Sequence, residues 1–207
     1  MNRPRIMLLA LAAGVFSLGT FVLQAEEKPD ADGWIKLFNG KDLTGWKASE
    51  GVEWKIENGE ILTPPKRSHL FTDQEFKNFE FKTECLTTPG SNSGLYFHTK
   101  YEDRFPQTGY EVQVNQTHGD PVKSGSLYNV VKVFSTPVKD NEWYSYHIIV
   151  KGKQVTVKIN DKTIYEFVEP DGVTGTRKLG KGSFAIQSHD PKSLSKFRNI
   201  MVKPLPD

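Results

Sequence analysis

The sequence predicts an all-β fold, and three features of its pattern lead to this prediction. Short runs of alternating apolar and polar residues recur along the chain, as in strands whose successive side chains point to opposite faces. Gly, Pro and Asn separate these runs at short intervals. Beyond the N-terminal segment, no stretch repeats apolar residues at helical spacing over three turns. About a dozen short strands of this kind indicate a sandwich, jelly roll or barrel, and periodicity does not choose between them.

Turn dipeptides and alternation locate the individual elements. Asn39-Gly40 ends the first run, and Asn58-Gly59 closes a hairpin by the same rule. The fourth run places Cys85, the single cysteine, on its apolar face, so we expect a buried, inert thiol and no intramolecular disulfide. The predicted strands cover residues 34–38, 54–57, 60–62, 76–85, 95–98, 110–115, 127–132, 143–150, 154–160, 163–167, 183–189 and 196–203.

The N-terminal segment, residues 1–25, is predicted to be a signal peptide. Arg3 and Arg5 precede an apolar stretch, and Leu23-Gln24-Ala25 is an imperfect cleavage site. The alternative is an uncleaved anchor, because the apolar stretch is just long enough to span a membrane. With cleavage after Ala25, we expect a leader at 26–33, a single domain at 34–207 and no stable membrane association.

Composition and charge favour a globular domain without a general nucleic-acid-binding surface. The chain of 207 residues is 37% hydrophobic and 25% charged, a balance typical of a folded soluble protein. Its formal net charge is +2, and removal of the two N-terminal arginines would leave 25 basic and 25 acidic residues. A neutral mature chain lacks the basic footprint of a nucleic-acid-binding protein.

Three runs, 95–98, 110–115 and 127–132, carry the side chains best suited to chemistry. Their polar positions are Tyr96 and His98 on the first, Glu111, Gln113 and Asn115 on the second, and Tyr128 and Lys132 on the third. A carboxyl group beside apolar walls has a raised pKa, which makes Glu111, between Tyr110 and Val112, a candidate general base or acid. The alternative, which applies equally to Lys132, is a solvent-facing residue of a half-exposed sheet.

Two histidines are candidates for a functional cleft, since His98 and His189 each end a strand on its polar face. His189 also points the same way as Gln187. The sequence contains no HExxH, CxxC, EF-hand, P-loop or GxSxG motif, so neither a metal site nor a cofactor is predicted from a motif.

Several motifs follow one another in an order and spacing that together are specific: LFNGKDLTGW at 37–46, then SNSGLYFHT, GYEVQV, SGSLYNV, EWYSYHIIVKG and FRNI. In these motifs residues 33–204 resemble the 3-keto-disaccharide hydrolase family. The resemblance implies a concanavalin A-like jelly-roll sandwich of two antiparallel sheets, with a sugar site on the concave sheet. It also implies an exported bacterial protein, periplasmic or secreted, that acts on glycosides whose sugar carries a 3-keto group.

The family's recurrent polar positions match Asn92 to Gly94, Glu111 and Gln113, Ser126 to Tyr128, Gln187 and His189, and Arg198 and Asn199. We therefore predict a substrate-binding set of Asn92, Tyr96, Gln113, Tyr128, Gln187 and Arg198. The predicted catalytic set is Glu111, His98, Lys132 and His189. Two departures matter: this chain has His98 where many members have Arg, and Ser188, followed by Asp190, where many have Asp. Ligand contacts of those family residues do not transfer to this chain.

The chemistry of a 3-keto glycoside defines what such a site needs. The ketone acidifies the C2 proton, so a base can remove it, the aglycone can leave C1 by elimination, and water can add back. Glu111 or His98 is the candidate base, and Lys132, Gln113 or His189 the candidate donor to the enolate oxygen. His98 and His189 can also exchange acid and base roles. A divalent cation is an alternative electrophile.

Two other classes of function stay open. A non-catalytic carbohydrate-binding module would need only aromatic platforms and hydrogen-bonding side chains, and a jelly roll does not fix function. An envelope or adhesion module is the third possibility. Convergence of the ionisable side chains on one site would favour an enzyme, and their dispersal would favour a binder. The expected partner is a carbohydrate in both of the first two classes, and the oligomeric state is open.

Overall fold

The computed structural model describes residues 28–207, and within them all regular secondary structure is β-strand. The predicted signal peptide and the first two residues of the predicted leader lie outside this range. The strands are β1 (Ile35–Lys36), β2 (Trp46–Ala48), β3 (Lys55–Glu57), β4 (Glu60–Leu62), β5 (Ser68–Phe76), β6 (Phe79–Thr87), β7 (Asn92–Thr99), β8 (Tyr110–Asn115), β9 (Tyr144–Lys151), β10 (Gln154–Ile159), β11 (Lys162–Val168), β12 (Gly182–Ser188) and β13 (Ser195–Pro204). Over residues 28–207 the chain has no helix of the length and hydrophobicity that a membrane crossing requires.

The strands form two antiparallel sheets that pack face to face. An eight-stranded sheet has the order β11-β10-β9-β6-β13-β4-β3, with β1 paired to β13, and a five-stranded sheet has the order β2-β5-β12-β7-β8. Between them lies one apolar core, in which Phe81 of β6 stacks on Phe184 of β12 at 4.5 Å between ring centroids. The predicted all-β sandwich of two antiparallel sheets is confirmed.

Local sequence accounts for several of these elements. Asn58 and Gly59 both adopt positive φ, 53° and 76°, as a two-residue turn between β3 and β4 requires. Along β6, buried and half-buried residues alternate strictly, which is the pattern of a strand with one face in the core. Cys85 lies on the buried face of β6 and is a free thiol, as predicted.

Three elements differ from the prediction, and the first is β2, since no predicted strand covers Trp46–Ala48. β5 went unrecognised because its alternation breaks at a bulge, where the Thr72 hydroxyl bonds the carbonyl of Gln74 and the amide of Phe184. The predicted strand 127–132 is wrong, because Leu127 instead bridges Val131 across a turn in which Asn129 has a φ of 61°. Leu127 also bridges Val112, so this turn flanks the edge strand β8.

The outer face of the five-stranded sheet is unusually polar and well buried. Every residue of β7 and β8 is buried, including the polar side chains that point away from the core. Loops 100–109 and 116–126 and the segment 169–181 connect the strands around this sheet. Buried polar groups need hydrogen-bond partners, so the polar side chains of this face are candidates for contacts with a bound ligand.

Candidate active site

A cavity of about 260 Å³ lies on the outer face of the five-stranded sheet. It is small for a ligand pocket, for which about 300–1,000 Å³ is usual. Side chains from β7, β8, the end of β12 and three loops line it: Asn92, Tyr96, Phe105, Glu111, Gln113, Asp120, Tyr128, Arg177, Gln187 and His189. Seven of the ten predicted site residues are among them, and three are not.

Glu111 lies at the floor of this cavity, directly opposite Tyr96 in the β7–β8 register. Burial raises the pKa of its carboxyl from an ordinary 4.5 to about 7, while the hydrogen bond from Tyr96 and the charge of Arg177 oppose that rise. Near neutral pH the carboxyl group is therefore divided between its acid and base forms. A group with such a pKa can both accept and return a proton.

A glycine makes room for this carboxylate. A Cβ at Gly94 would overlap Glu111 Oε1 and would lie 2.9 Å from its Cδ. From β12, Gln187 donates from Nε2 to the Tyr96 hydroxyl at 2.9 Å and to Glu111 Oε1 at 3.3 Å. Three strands thus fix the position of the acid.

A second hydrogen-bond row holds the neighbouring wall. Gln113 donates from Nε2 to Asn92 Oδ1 at 2.6 Å, which links β8 to the start of β7. Further along β8, Asn115 donates to the carbonyls of Asp120 and Val122 and accepts from the His118 amide. These bonds shape the loop that brings Asp120 to the cavity.

His189 stands at the rim with a carboxylate behind it. Its Nδ1 bonds Asp190 Oδ2 at 2.9 Å, and the hydrogen bonds to His189 and Ser193 help to lower the pKa of Asp190 to about 2. With Nδ1 donating to the carboxylate, Nε2 of the neutral ring carries the lone pair. Proton transfer at His189 would therefore take place at Nε2.

The same corner offers a set of metal-ligating atoms. One ligand atom each from His118, His189 and Asp190 lies within 4.8 Å of the others. His118 Nδ1 accepts a hydrogen bond from the Asp120 amide at 3.1 Å. Each histidine that bound a cation would offer it the lone pair of one ring nitrogen, from the neutral form of the ring.

The structure places His98 away from the cavity, which corrects the prediction. His98 has a φ of 55° at a bulge in β7, and this reverses the side chain that strict alternation would put beside Tyr96. Its ring contacts Phe79, its Nε2 bonds the Lys77 carbonyl at 2.8 Å, and its Nδ1 accepts from the Gly180 amide at 3.1 Å. These contacts give His98 a role in holding the structure together.

Lys132 and Arg198 also lie outside the cavity. Lys132 is exposed just beyond the turn that replaced its predicted strand. Arg198 belongs to β13 of the other sheet, where it pairs with Glu84 at 2.7 Å and lies over the Trp143 ring at 3.9 Å. Neither side chain is positioned to touch a ligand bound beside Glu111.

Three lining residues went unrecognised in the sequence: Phe105, Asp120 and Arg177. All three come from irregular segments, where neither alternation nor a motif indicates which side chains turn inward. Arg177 is half-buried, and its charge lowers the pKa of Glu111. The basic side chain beside Glu111 is therefore Arg177, which comes from a loop, and not Lys132 as predicted.

Fold and site together define a jelly-roll protein with a buried acid, a histidine and an arginine around one small polar cavity. The sequence profile of the 3-keto-alpha-glucoside-1,2-lyase-like domain matches residues 33–203. The chain belongs to this family. The resemblance noted in its motifs is thereby confirmed.

Individual relatives agree with this assignment. A curated 3-keto-disaccharide hydrolase of Bacteroides thetaiotaomicron is 27% identical over 172 residues, covering 67% of this chain and 59% of the relative. The chain thus spans about three fifths of that protein. A candidate glycosyl hydrolase from Parabacteroides distasonis superposes with a TM-score of 0.75 at 25% identity, over 85% of this chain and 95% of that one.

A third comparison bears on the fold alone. The carbohydrate-binding module CBM66 from Bacillus subtilis superposes with a TM-score of 0.56 at 14% identity, over 77% of this chain and 95% of the module. Jelly-roll carbohydrate-binding proteins therefore share this architecture, and the predicted jelly roll is confirmed.

Proposed function

We propose that this protein is an exported enzyme that cleaves 3-keto glycosides by C2 deprotonation, elimination and hydration. Family membership and the name of the Bacteroides relative support the substrate class. The observation that carries catalysis is Glu111, a buried carboxyl that lines the same cavity as His189 and Arg177 and whose pKa burial raises to about 7. Export rests on the sequence of residues 1–25, which predicts periplasmic or secreted localisation.

Glu111 takes the C2 proton in this proposal. The electrons of the C2–H bond form the enolate of the 3-ketone, and collapse of the enolate breaks the C1–O bond to the aglycone. The leaving oxygen takes up a proton, which gives an enone and a free alcohol. Addition of water then forms a C1–O bond and returns a proton to C2, so the net reaction is hydrolysis.

Two other side chains complete the chemistry. Arg177 takes the place of Lys132 as the donor to the enolate oxygen. Its side chain lines the cavity, and its charge lowers the pKa of Glu111. His189, oriented by Asp190, protonates the leaving oxygen from Nε2 in the form of the ring that carries a proton on both nitrogens, and the ring later accepts a proton from water. Tyr96 and Gln187 hold the base, and Asn92, Gln113 and Tyr128 contact the sugar.

A divalent cation is the alternative electrophile within this proposal. His118, His189 and Asp190 would hold it, and it would polarise the substrate carbonyl as a Lewis acid. His189 would then be a ligand and could not also protonate the leaving group. Chelation therefore separates the two forms of the mechanism.

The rival class is a carbohydrate-binding module without catalysis. Of the four ionisable side chains in the predicted catalytic set, Glu111 and His189 line one cavity, which favours an enzyme. His98 and Lys132 lie elsewhere, which favours a binding module. Arg177 and Asp120 restore a group of four ionisable side chains around one cavity. A binder has no need for such a group, which is why the enzyme is preferred.

The deciding experiment follows aglycone release from a 3-keto glucoside and from its unoxidised parent, with and without a chelator. We expect release from the keto form alone. Glu111→Gln should lower kcat by about 10²–10⁴-fold, the usual contribution of a general base. Glu166→Gln, the same change on an exposed position of β11, is the matched control and should keep wild-type kcat.

Each outcome is decisive. Release by Glu111→Gln at the wild-type rate would remove Glu111 from the chemistry. Loss of release with the chelator, and recovery on adding a divalent cation, would establish the metal form. No release from either glycoside, with retained sugar binding, would identify a binding module.

A further inference from the structure

A buried histidine beside the cavity has no hydrogen-bond partner. His69 lies on β5, is fully buried, and neither Nδ1 nor Nε2 of its ring contacts a donor or acceptor in the described part of the chain. Native proteins rarely leave buried polar atoms unpaired, because such an atom has lost its hydrogen bonds to water and gained none in return. Such an atom calls for an explanation outside the protein's own contacts.

The unpaired atoms continue into the wall of the cavity. His69 is the register partner of Gln187, which lines the cavity, and Gln187 Oε1 is also buried without a partner. Burial lowers the pKa of His69 to about 3, so the ring is neutral, with one N–H donor and one acceptor nitrogen. The unsatisfied group thus contains one donor and two acceptors.

Two side chains that line the cavity, Phe105 and Tyr96, pack against the His69 ring. Tyr96 is buried in the sheet, so Phe105 is the one of the two that is free to move. Phe105 lines the cavity and packs edge-on against the His69 ring, with 5.5 Å between centroids. Its other ring neighbours are His189 at 5.7 Å and the Arg67 guanidinium at 5.3 Å. Phe105 is half-buried, so its ring can leave without opening the sandwich core.

The loop around Phe105 is tied down at both ends. Asp103 accepts from the Glu50 amide at 2.6 Å, and the Gln107 carbonyl accepts from the Thr176 hydroxyl at 2.7 Å. These bonds would keep the loop in place while the Phe105 ring rotates. Displacing the ring breaks its contacts with His69, His189 and Arg67, and hydrogen bonds from a ligand to the unpaired atoms of His69 and Gln187 would compensate for them.

We propose that Phe105 is a movable cover over a second binding subsite, built by His69 and Gln187, that takes a hydroxyl group of the substrate's leaving sugar. A sugar hydroxyl both donates and accepts, and so matches this mixed set of unpaired atoms. The cavity is small, so the second ring of a disaccharide must extend beyond it. This inference rests on the proposed function, since it names where the aglycone binds.

The test compares two substrates that differ in aglycone hydroxyls: a 3-keto disaccharide and the cyclohexyl 3-keto glucoside. His69→Phe keeps an aromatic ring and removes both nitrogens, and should lower the disaccharide-to-cyclohexyl ratio of kcat/KM by tenfold or more. Phe105→Ala removes the cover and should raise that ratio severalfold. His147→Phe, on the other sheet, is the matched control and should leave the ratio unchanged.

An unchanged ratio in His69→Phe overturns the subsite. If that variant does not fold, an unchanged or lower ratio in Phe105→Ala overturns it instead. If the wild-type protein cleaves neither substrate, the proposed function fails, and the same ratios are taken from dissociation constants measured by calorimetry. A binding ratio that His69→Phe leaves unchanged, or no binding of either ligand by the wild-type protein, overturns the subsite.

Discussion

Glu111 shows how one side chain can be both costly and useful. Its burial is opposed only in part by Tyr96, Gln187 and Arg177, so the folded protein holds the carboxyl group with a raised pKa. In the proposed reaction, a carboxyl group that is partly protonated at neutral pH can take up a proton and also return it. The cost has to appear in the stability of the fold.

That cost gives a prediction of pH-dependent stability. Because the pKa of Glu111 is about 7 in the folded state against an ordinary 4.5, the folded state retains a proton that the unfolded chain loses. Stability from this group is complete below pH 4.5 and falls as the pH rises to about 7, by on the order of 3 kcal/mol. We expect the free energy of unfolding, measured with urea between pH 4.5 and 8, to fall more steeply with pH in the wild-type protein than in Glu111→Gln. The same pH dependence in both proteins would contradict this prediction.

At the residue scale the sequence predicted the strand-borne part of the site, together with Tyr128 and His189, and missed Phe105, Asp120 and Arg177. Alternation assigns each strand residue to one face of the sheet, and this made Glu111, Gln113 and Tyr96 predictable. His98 fits the same alternation in the sequence, but its positive φ turns the side chain to the opposite face of the sheet. Arg177 sits in an irregular segment, whose course depends on contacts distant in the sequence.

The pairing of β7 with β8 is the element that builds the site. Asn92, Gly94 and Tyr96 alternate with core residues on β7, and Glu111 and Gln113 do so on β8. The glycine is the small member of this row, and the carboxylate of Glu111 lies over it. Site geometry therefore depends on the absence of one side chain.

Gly94→Ala should displace Glu111 without unfolding the sheet. The new Cβ would overlap Oε1 and crowd Cδ at 2.9 Å, and a displacement of about 1 Å can cost 10²-fold in rate. We expect kcat to fall by about that factor with an unchanged circular dichroism spectrum. Gly180→Ala is the control, because nothing lies within 4 Å of its added Cβ. Wild-type kcat in Gly94→Ala would contradict the packing described.

At the scale of elements, regular strands were predictable and interrupted ones were not. β6, β9 and β10 alternate without a break, and each was predicted within a few residues. β5 carries a bulge that breaks its alternation. The turn at 127–131 has an apolar residue at each end, which alternation alone cannot distinguish from a strand.

On the scale of the whole molecule, stability comes from burial between the two sheets. One continuous apolar cluster draws on both sheets, and the described residues contain no disulfide. Cys85 lies fully buried in this cluster, and burial raises the pKa of its thiol well above the usual range. Its reactivity therefore reports on opening of the sandwich.

Labelling with a thiol reagent tests this cooperativity. In native buffer Cys85 should react only as fast as the protein unfolds globally, and in urea it should react at once. Lys162→Cys, on an exposed position of β11, provides a control thiol that should react immediately in both conditions. Fast native labelling of Cys85 would indicate local opening around β6 instead.

The position of β8 at the edge of its sheet has a consequence for misfolding. Within the described residues β8 pairs with one strand only, β7, and a slip of one residue would exchange the two faces of β8. Such a slip in β8 would bury the Glu111 carboxylate between the sheets and turn Val112 toward the cavity. The core and the chemistry would fail together, so a population of folded but catalytically dead isomers should not accumulate.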